Sequence, residues 1–251
     1  MQQMIYAIVS PKDSQPTLKA LLAKMKGIAG NELQTISLGG FTAIISNIIK
    51  ADLVASRSDA LQYAGVIEAM AEHYPILPVR FGSVMDSMEA IRSLLERNTI
   101  EIQQNLLKVE NKNEFGLKIF CDPDTLKAQL KQRSESLAGT PVISSIERKK
   151  SIYIDYVNQK LSEHRVEEML MAYIDSVITE MSGFLTRLEA ITKFTKMVTP
   201  TTIVDALFLI EKRKKDELIS AVEEVQKKHP SLRFVMTGPW PPYNFVDFKV
   251  K

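Results

Sequence analysis

Apolar and polar positions alternate with strand-like or helix-like periods along the first 85 residues. Two β-rich runs flank Gly39-Gly40, which favours a hairpin because glycine adopts positive φ at little steric cost. Helical spacing of apolar residues follows Pro16 and again follows Ser56, where Ser-Arg-Ser-Asp resembles a capping box. The strand-like runs lie at residues 4–9, 33–38, 41–49 and 76–84. The order βαββαβ predicts a ferredoxin-like α+β sandwich.

The remaining sequence repeats these signals around a longer helical region. Asp86 or Ser87 is expected to cap one connecting helix over residues 86–113. Pro141 begins a helical stripe that reaches Gly183, and a phase slip at residues 162–165 predicts a bend or two helices there. Further strands are predicted at residues 114–121, 191–198, 203–210 and 232–236, and a further helix at 216–228.

Short matches relate the two halves of the chain. Val9-Ser10-Pro11 leads to Thr17-Leu18-Lys19-Ala20, and Cys121-Asp122-Pro123 leads to Thr125-Leu126-Lys127-Ala128. One βαββαβ unit used twice explains the matches, and convergence on common turn signals is the alternative. We therefore predict an N-terminal domain at residues 1–85, a connecting helix at 86–113, and a C-terminal domain at 114–251 with a helical insertion at 134–187.

The C-terminal segment is rich in proline and aromatic residues. Pro239, Pro241 and Pro242 restrict φ and remove amide donors, so an extended backbone that cannot pair as a central strand is expected. Trp240 is the only tryptophan and lies near Tyr243. Rigid aromatic side chains lose little entropy on docking, so they either lock the domain's own edge or anchor a partner.

Composition narrows the class of protein. The 251 residues are 45% hydrophobic and 25% charged, with a net charge of +2, which is typical of a globular chain and predicts no nucleic-acid or membrane partner. No apolar stretch approaches the ~20 residues of a membrane span, and no signal-type segment opens the chain, so a cytosolic protein is expected. Cys121 is the only cysteine, which rules out an internal disulfide and a cysteine-based zinc site.

Little in the sequence indicates catalysis. His73 and His229 fall in the last turns of predicted helices, where a cation complements the helix dipole, and His164 is distant from both. No nucleophile elbow, phosphate loop, dinucleotide fingerprint or zincin motif occurs. Cys121 is either a thiol nucleophile or a small buried residue, and we favour the second. We predict no cofactor and no metal.

Charged residues on two predicted strands are expected to form structural pairs. Arg80 lies in a short strand after a proline and needs a carboxylate or carbonyl partner if it is buried; we favour an ion pair between the domains. Glu114 and Lys118 lie opposite Phe115 and Leu117 on their strand, which is typical of cross-strand pairing.

Four stretches occur in this order along the chain: Ile76-Leu77-Pro78-Val79-Arg80-Phe81-Gly82, Glu114-Phe115-Gly116-Leu117-Lys118-Ile119, Ala206-Leu207-Phe208-Leu209-Ile210 and Thr237-Gly238-Pro239-Trp240-Pro241-Pro242-Tyr243-Asn244-Phe245. Together they resemble the gas vesicle GvpL/GvpF family, and the last stretch is the most specific. The resemblance implies two α/β domains and a non-enzymatic accessory role in building gas vesicles. It also implies that the partners are the hydrophobic shell protein GvpA and other gas vesicle accessory proteins, with a cytoplasmic or vesicle location.

We therefore expect an assembly factor that binds the shell subunit by strand addition or by docking a helix in a groove. The residues expected to bind the partner or support that surface are Arg80, Phe81, Gly82, Gly238, Pro239, Trp240, Pro242, Tyr243 and Phe245. A small-molecule sensor built from paired ferredoxin-like domains is the alternative. An enzyme that uses Cys121 is a third hypothesis.

Overall fold

The computed structural model describes residues 2–10, 15–49, 56–137, 152–196, 198–246 and 248. Its strands are β1 (Gln2–Val9), β2 (Leu33–Leu38), β3 (Phe41–Ile48), β4 (Ile76–Pro78), β5 (Val84–Met85), β6 (Lys112–Cys121), β7 (Ile191–Lys196), β8 (Thr202–Glu211) and β9 (Leu232–Trp240). Its α-helices are α1 (Gln15–Leu22), α2 (Arg57–His73), α3 (Met88–Arg97), α4 (Thr99–Val109), α5 (Pro123–Leu137), α6 (Ile152–Arg187) and α7 (Lys215–Lys228).

The first sheet has the strand order β2-β3-β1-β4, and β5 also pairs with β1. All of these pairings are antiparallel. Leu38 pairs with Phe41 across the predicted hairpin, where Gly39 and Gly40 both have positive φ. The strand predicted at residues 76–84 is instead two short strands, because the chain turns at Phe81 and Gly82 before β5 begins.

A buried polar contact fixes the core beneath the first sheet. The hydroxyl of Tyr6 on β1 accepts a hydrogen bond from the amide of Ile28 at 2.8 Å and lies 3.0 Å from the hydroxyl of Ser46 on β3. Helix α2 covers the same face through Tyr63, whose hydroxyl donates to the Tyr6 carbonyl at 3.2 Å. Ser56 caps α2 by accepting from the Asp59 amide, so the predicted cap is confirmed.

The second sheet has the order β7-β8-β6-β9. If the strands of each sheet are renumbered from one along the chain, both sheets read 2-3-1-4. Helices α5 and α6 lie between the first and second strands of this sheet in sequence, and α7 lies between the third and fourth. The predicted α+β class is confirmed, with two antiparallel sheets and seven helices in the described part of the chain.

Several predicted boundaries were wrong. The single connecting helix is two helices, because the Asn98 side chain donates to the Leu94 carbonyl and ends α3. The polar break predicted from Ser134 begins inside α5, which continues to Leu137. Helix α6 is not divided at residues 162–165, since it is continuous through this range, and it extends past Gly183 to Arg187. The predicted helix start at Pro141 lies outside the described residues.

The chain divides into two compact units. The first contains Met1–Phe115, Leu209–Lys212 and Gly238–Lys251, and the second contains Gly116–Phe208 and Arg213–Thr237. The C-terminal segment therefore belongs to the first unit although it follows the last strand of the second sheet. The domain limits drawn from the sequence, at residues 1–85, 86–113 and 114–251, stay predictions.

Candidate functional site

The proline and aromatic segment begins as the end of an edge strand. β9 extends to Trp240 and lies at the edge of the second sheet, which is where a strand tolerates Pro239. Beyond β9 the chain folds into two tight turns. The Tyr243 amide donates to the Pro241 carbonyl at 2.7 Å, and the Phe245 amide donates to the Pro242 carbonyl at 3.3 Å. The segment is therefore a compact structure and not an extended tail.

Glu114 holds these turns in place. Its carboxylate is buried, and it accepts two hydrogen bonds from Asn244, one from the backbone amide at 2.8 Å and one from the side-chain amide at 2.5 Å. Hydrogen bonds to a carboxylate are stronger than neutral ones, and the pairing of both oxygens compensates for the burial of the charge. Asn244 thus fastens the C-terminal segment to β6.

A second polar contact and one aromatic ring complete the attachment. The Lys108 ammonium, on the last turn of α4, donates to the Phe245 carbonyl at 2.8 Å. The Phe245 ring is only 2% exposed. Burial of a Phe side chain contributes roughly 1.5–3 kcal/mol, so Phe245 acts as the internal support of the segment.

Gly238 permits the close approach of this segment to β6. Its φ is +108°, a region that side-chain-bearing residues rarely adopt, and a Cβ there would lie 2.8 Å from the Glu114 carbonyl oxygen. No residue with a side chain fits this position without displacing backbone.

Two rings of the segment face solvent. Trp240 is 42% exposed and Tyr243 is 38% exposed, whereas Pro241 and Pro242 are buried. Partial burial, followed by the nearby charges of Glu68 and Glu114, raises the pKa of Tyr243 to about 12. The phenol is therefore neutral at physiological pH. A backbone held by buried contacts thus presents one indole and one phenol outward.

The turn after β4 contacts Tyr63 of α2, which in turn lies near the C-terminal segment. The Phe81 ring meets the Tyr63 ring edge to face, with centroids 5.3 Å apart, and the Tyr63 ring stacks on Tyr6 at 5.7 Å. Burial is the main cause that raises the pKa of Tyr63, and the nearby phenol of Tyr243 adds to it. Tyr63 is therefore in ring contact with Phe81 and close enough to Tyr243 for an electrostatic effect.

Gly82 and Arg80 have different positions in that turn. Gly82 has φ of +80°, and the Ser83 amide donates to the Arg80 carbonyl at 3.1 Å to close the turn. Arg80 itself is exposed and forms no ion pair with any residue that the structure describes. Because Arg80 is exposed, it does not need the carboxylate or carbonyl partner that a buried arginine would require.

The titratable groups outside this segment have structural contacts. His229, the cap residue after α7, lies 2.9 Å from the Tyr173 hydroxyl and 3.1 Å from a Glu180 carboxylate oxygen. Lys228 lowers the pKa of Glu180 by donating to its carboxylate. Burial raises the pKa of the Cys121 thiol, which disfavours the thiolate needed by a nucleophile.

Within the described ranges, no group of three or more His, Cys, Asp or Glu residues is placed to hold a metal ion. Over the same residues, no helix combines the length and the apolarity that a membrane span requires.

Sequence reasoning missed the partner of Glu114. Lys118 does pair across the sheet, with Asp205 of β8, but Glu114 binds Asn244, 130 residues further along the chain. The alternation of residues in β6 showed that Glu114 and Phe115 lie on opposite faces, and nothing local indicated that both faces are buried at this point. Tyr63 was likewise missed, because no local signal distinguishes its ring from the other residues of α2.

The fold and this segment define the chain as a two-sheet α+β protein whose C-terminal aromatic turns are held on its first unit. The chain belongs to the gas vesicle synthesis protein GvpL/GvpF family, whose model matches residues 4–247. That family consists of gas vesicle proteins and is not a known class of enzyme.

Individual relatives agree with this assignment. Gas vesicle protein F2 of Halobacterium salinarum is 24% identical, over 98% of this chain and 92% of its own length. Gas vesicle protein F of Streptomyces sp. is also 24% identical, over 98% of this chain and 100% of its own. The crystal structure of GvpF from Anabaena sp. PCC7120 has a TM-score of 0.77 at 21% identity and covers 99% of each chain, so the fold is shared.

Proposed function

We propose that this protein is a non-enzymatic accessory factor of gas vesicle assembly that binds the apolar shell protein GvpA and assists nucleation or growth of the shell. It works in the cytoplasm or at the vesicle, alongside other gas vesicle accessory proteins. Membership of the family supports a role connected with gas vesicles. The partner and the mechanism are our inference from the C-terminal segment.

The observation that carries the proposal is a rigid segment with outward aromatic rings. Trp240 and Tyr243 are partly exposed on a backbone that Glu114 and Phe245 hold in place. Binding hot spots are enriched in Trp and Tyr, and a preordered backbone reduces the entropy lost on association. A subunit whose apolar face must be covered before assembly offers the complementary surface, because exposed apolar patches cause aggregation.

The remaining expected residues support these two rings. Phe81 packs on Tyr63, whose pKa is also raised by the phenol of Tyr243, and Gly82 sets the turn that places Phe81. Gly238 and Pro239 shape the end of β9. We assign Arg80, which is exposed in the same turn, to the rim of the proposed partner surface.

We further propose that both sheets belong to ferredoxin-like βαββαβ units derived from one ancestor. The identical strand order 2-3-1-4 in the two sheets supports this assignment, as does the placement of helices between equivalent strands. In this interpretation, α5 and α6 include the helical insertion of the second copy.

Co-expression with GvpA tests the proposed function. The purified protein should retain GvpA, and replacing both Trp240 and Tyr243 by Ala should lower the retained amount at least about tenfold, since one hot-spot residue contributes about 2 kcal/mol or more. Leu61→Ala is the matched control, because Leu61 is 64% exposed and lies on α2. If deleting this protein leaves vesicle formation and GvpA solubility unchanged, the proposed function is wrong.

A further inference from the structure

A cavity of about 550 Å³ lies in the second unit, between α5, α6 and the turn that precedes β8. Its walls are mainly apolar and include Cys121, Leu126, Leu170, Met171, Val198 and Pro200. Three further cavities are smaller, with volumes of about 260, 340 and 270 Å³. The volume of the first cavity falls within the roughly 300–1,000 Å³ range of small-molecule sites.

Hydrogen bonds fix the walls at both ends of the cavity. At the start of α5, the carboxylate of Asp122 accepts from the Thr125 hydroxyl at 2.5 Å and from the Asp124 amide at 3.3 Å. In the turn before β8, the Thr199 hydroxyl accepts from the Thr202 amide at 2.9 Å, and the Cys121 amide donates to the Thr201 carbonyl at 2.9 Å. These hydrogen bonds within the chain hold the start of α5 and the turn before β8 in shape.

The lining favours an uncharged ligand. Among the described residues, the charged ones that line it are Lys127 and Glu167, and both side chains are exposed, so their opposite charges balance at the rim. The Cys121 thiol points toward the Pro200 carbonyl, 3.8 Å away, and its raised pKa keeps it neutral. The described lining thus offers mainly apolar contacts, with the Cys121 thiol and the Thr199 hydroxyl as its uncharged polar groups.

The size of the cavity favours a small molecule over a partner helix. A cavity of about 150 Å³ holds benzene, so this one has roughly three to four times that capacity. The part of α6 that lines it extends only from Glu167 to Met171, about one turn. An amphipathic helix that docks in a groove requires anchors over at least two turns, at spacings such as i and i+7.

We propose that this cavity binds an uncharged, largely apolar small molecule of about the size of two fused aromatic rings with a short substituent. The site is independent of the proposed binding of GvpA, because its described lining residues belong to the second unit and not to the C-terminal segment. Loss of small-molecule binding in this cavity would therefore leave the proposed function untouched, and loss of GvpA retention would leave the cavity proposal untouched.

Titration with the neutral fluorescent probe N-phenyl-1-naphthylamine tests the proposal on the full chain. Saturable binding of about one probe per chain is expected. Val198→Trp should weaken binding at least about tenfold by filling the mouth of the cavity, where Val198 is 45% exposed. Val235→Trp is the matched control, because Val235 is 37% exposed on β9 and does not line the cavity.

The single cysteine gives a second readout at the wall of the cavity. Saturating probe should slow alkylation of Cys121 by N-ethylmaleimide at least about fivefold in the unmodified protein, with a smaller effect in Val198→Trp. The proposal is overturned if binding is not saturable, if both tryptophan variants bind equally well, or if the probe leaves the alkylation rate unchanged. Each of these results would place the probe elsewhere on the surface.

Discussion

Replacing Glu114 by Ala removes the acceptor of both Asn244 hydrogen bonds and should loosen the C-terminal segment. Each hydrogen bond to a charged group contributes about 1.5–3 kcal/mol, which gives an upper range of about 3–6 kcal/mol for the pair. Asn244 is exposed, so its freed donors regain bonds to water. The Lys108 contact with the Phe245 carbonyl also remains. We therefore expect a loss of about 2–3 kcal/mol in the free energy of unfolding.

Urea unfolding monitored by fluorescence and by circular dichroism measures this loss. Trp240 is the only tryptophan, so its emission reports on this segment, and a shift to longer wavelength is expected as the ring becomes more exposed. A double-mutant cycle with Asn244→Ala should give a coupling energy of about 2 kcal/mol.

Glu96→Ala provides the control, since Glu96 is an exposed residue of α3 and its loss should change stability by less than about 0.5 kcal/mol. The reasoning is refuted if Glu114→Ala behaves like this control and the emission of Trp240 is unchanged.

Three further predictions concern backbone geometry and pH. Gly238→Ala should destabilise the fold by at least about 2 kcal/mol, whereas Gly65→Ala, in the open interior of α2, should stabilise it by about 0.5–1 kcal/mol; thermal unfolding compares the two. The pKa of Tyr243 rises from 10.0 to about 12 on folding, so the stability that Tyr243 contributes is fully present below pH 10 and is lost as the pH rises toward 12. Tyr243→Phe should therefore make the free energy of unfolding fall less steeply over this range in urea titrations at alkaline pH. Lys228 lowers the pKa of Glu180, so the stability that the Glu180 carboxylate contributes is present above pH 4.5 and is lost on acidification. Glu180→Gln should lower the free energy of unfolding at neutral pH but not in acid, as measured by urea unfolding at both pH values.

Local sequence signals were sufficient for the main elements. The period-2 and helical patterns placed β1, β2, β3 and β8, and the Ser56 cap and Gly39-Gly40 turn were evident from neighbouring residues. These features depend on interactions over a few residues, which a single sequence displays directly.

Features that depend on distant residues were not visible in the sequence. The pairing of Glu114 with Asn244 and the packing of Phe81 on Tyr63 arise only after the chain folds. The division of residues 86–113 depends on whether Asn98 bonds to the backbone, and asparagine is compatible with either outcome. The resemblance to the family pointed to the C-terminal segment, but the structure separates its buried support, Phe245, from its exposed rings.

Site-specific photo-crosslinking is the most direct test of the central claim, which is that the aromatic C-terminal turns bind GvpA. A photoreactive phenylalanine analogue is placed at position 240 and, separately, at position 61, in cells that produce GvpA. The account predicts a cross-linked product with GvpA from position 240 and little or none from position 61. A product from position 61 with none from position 240 would contradict it.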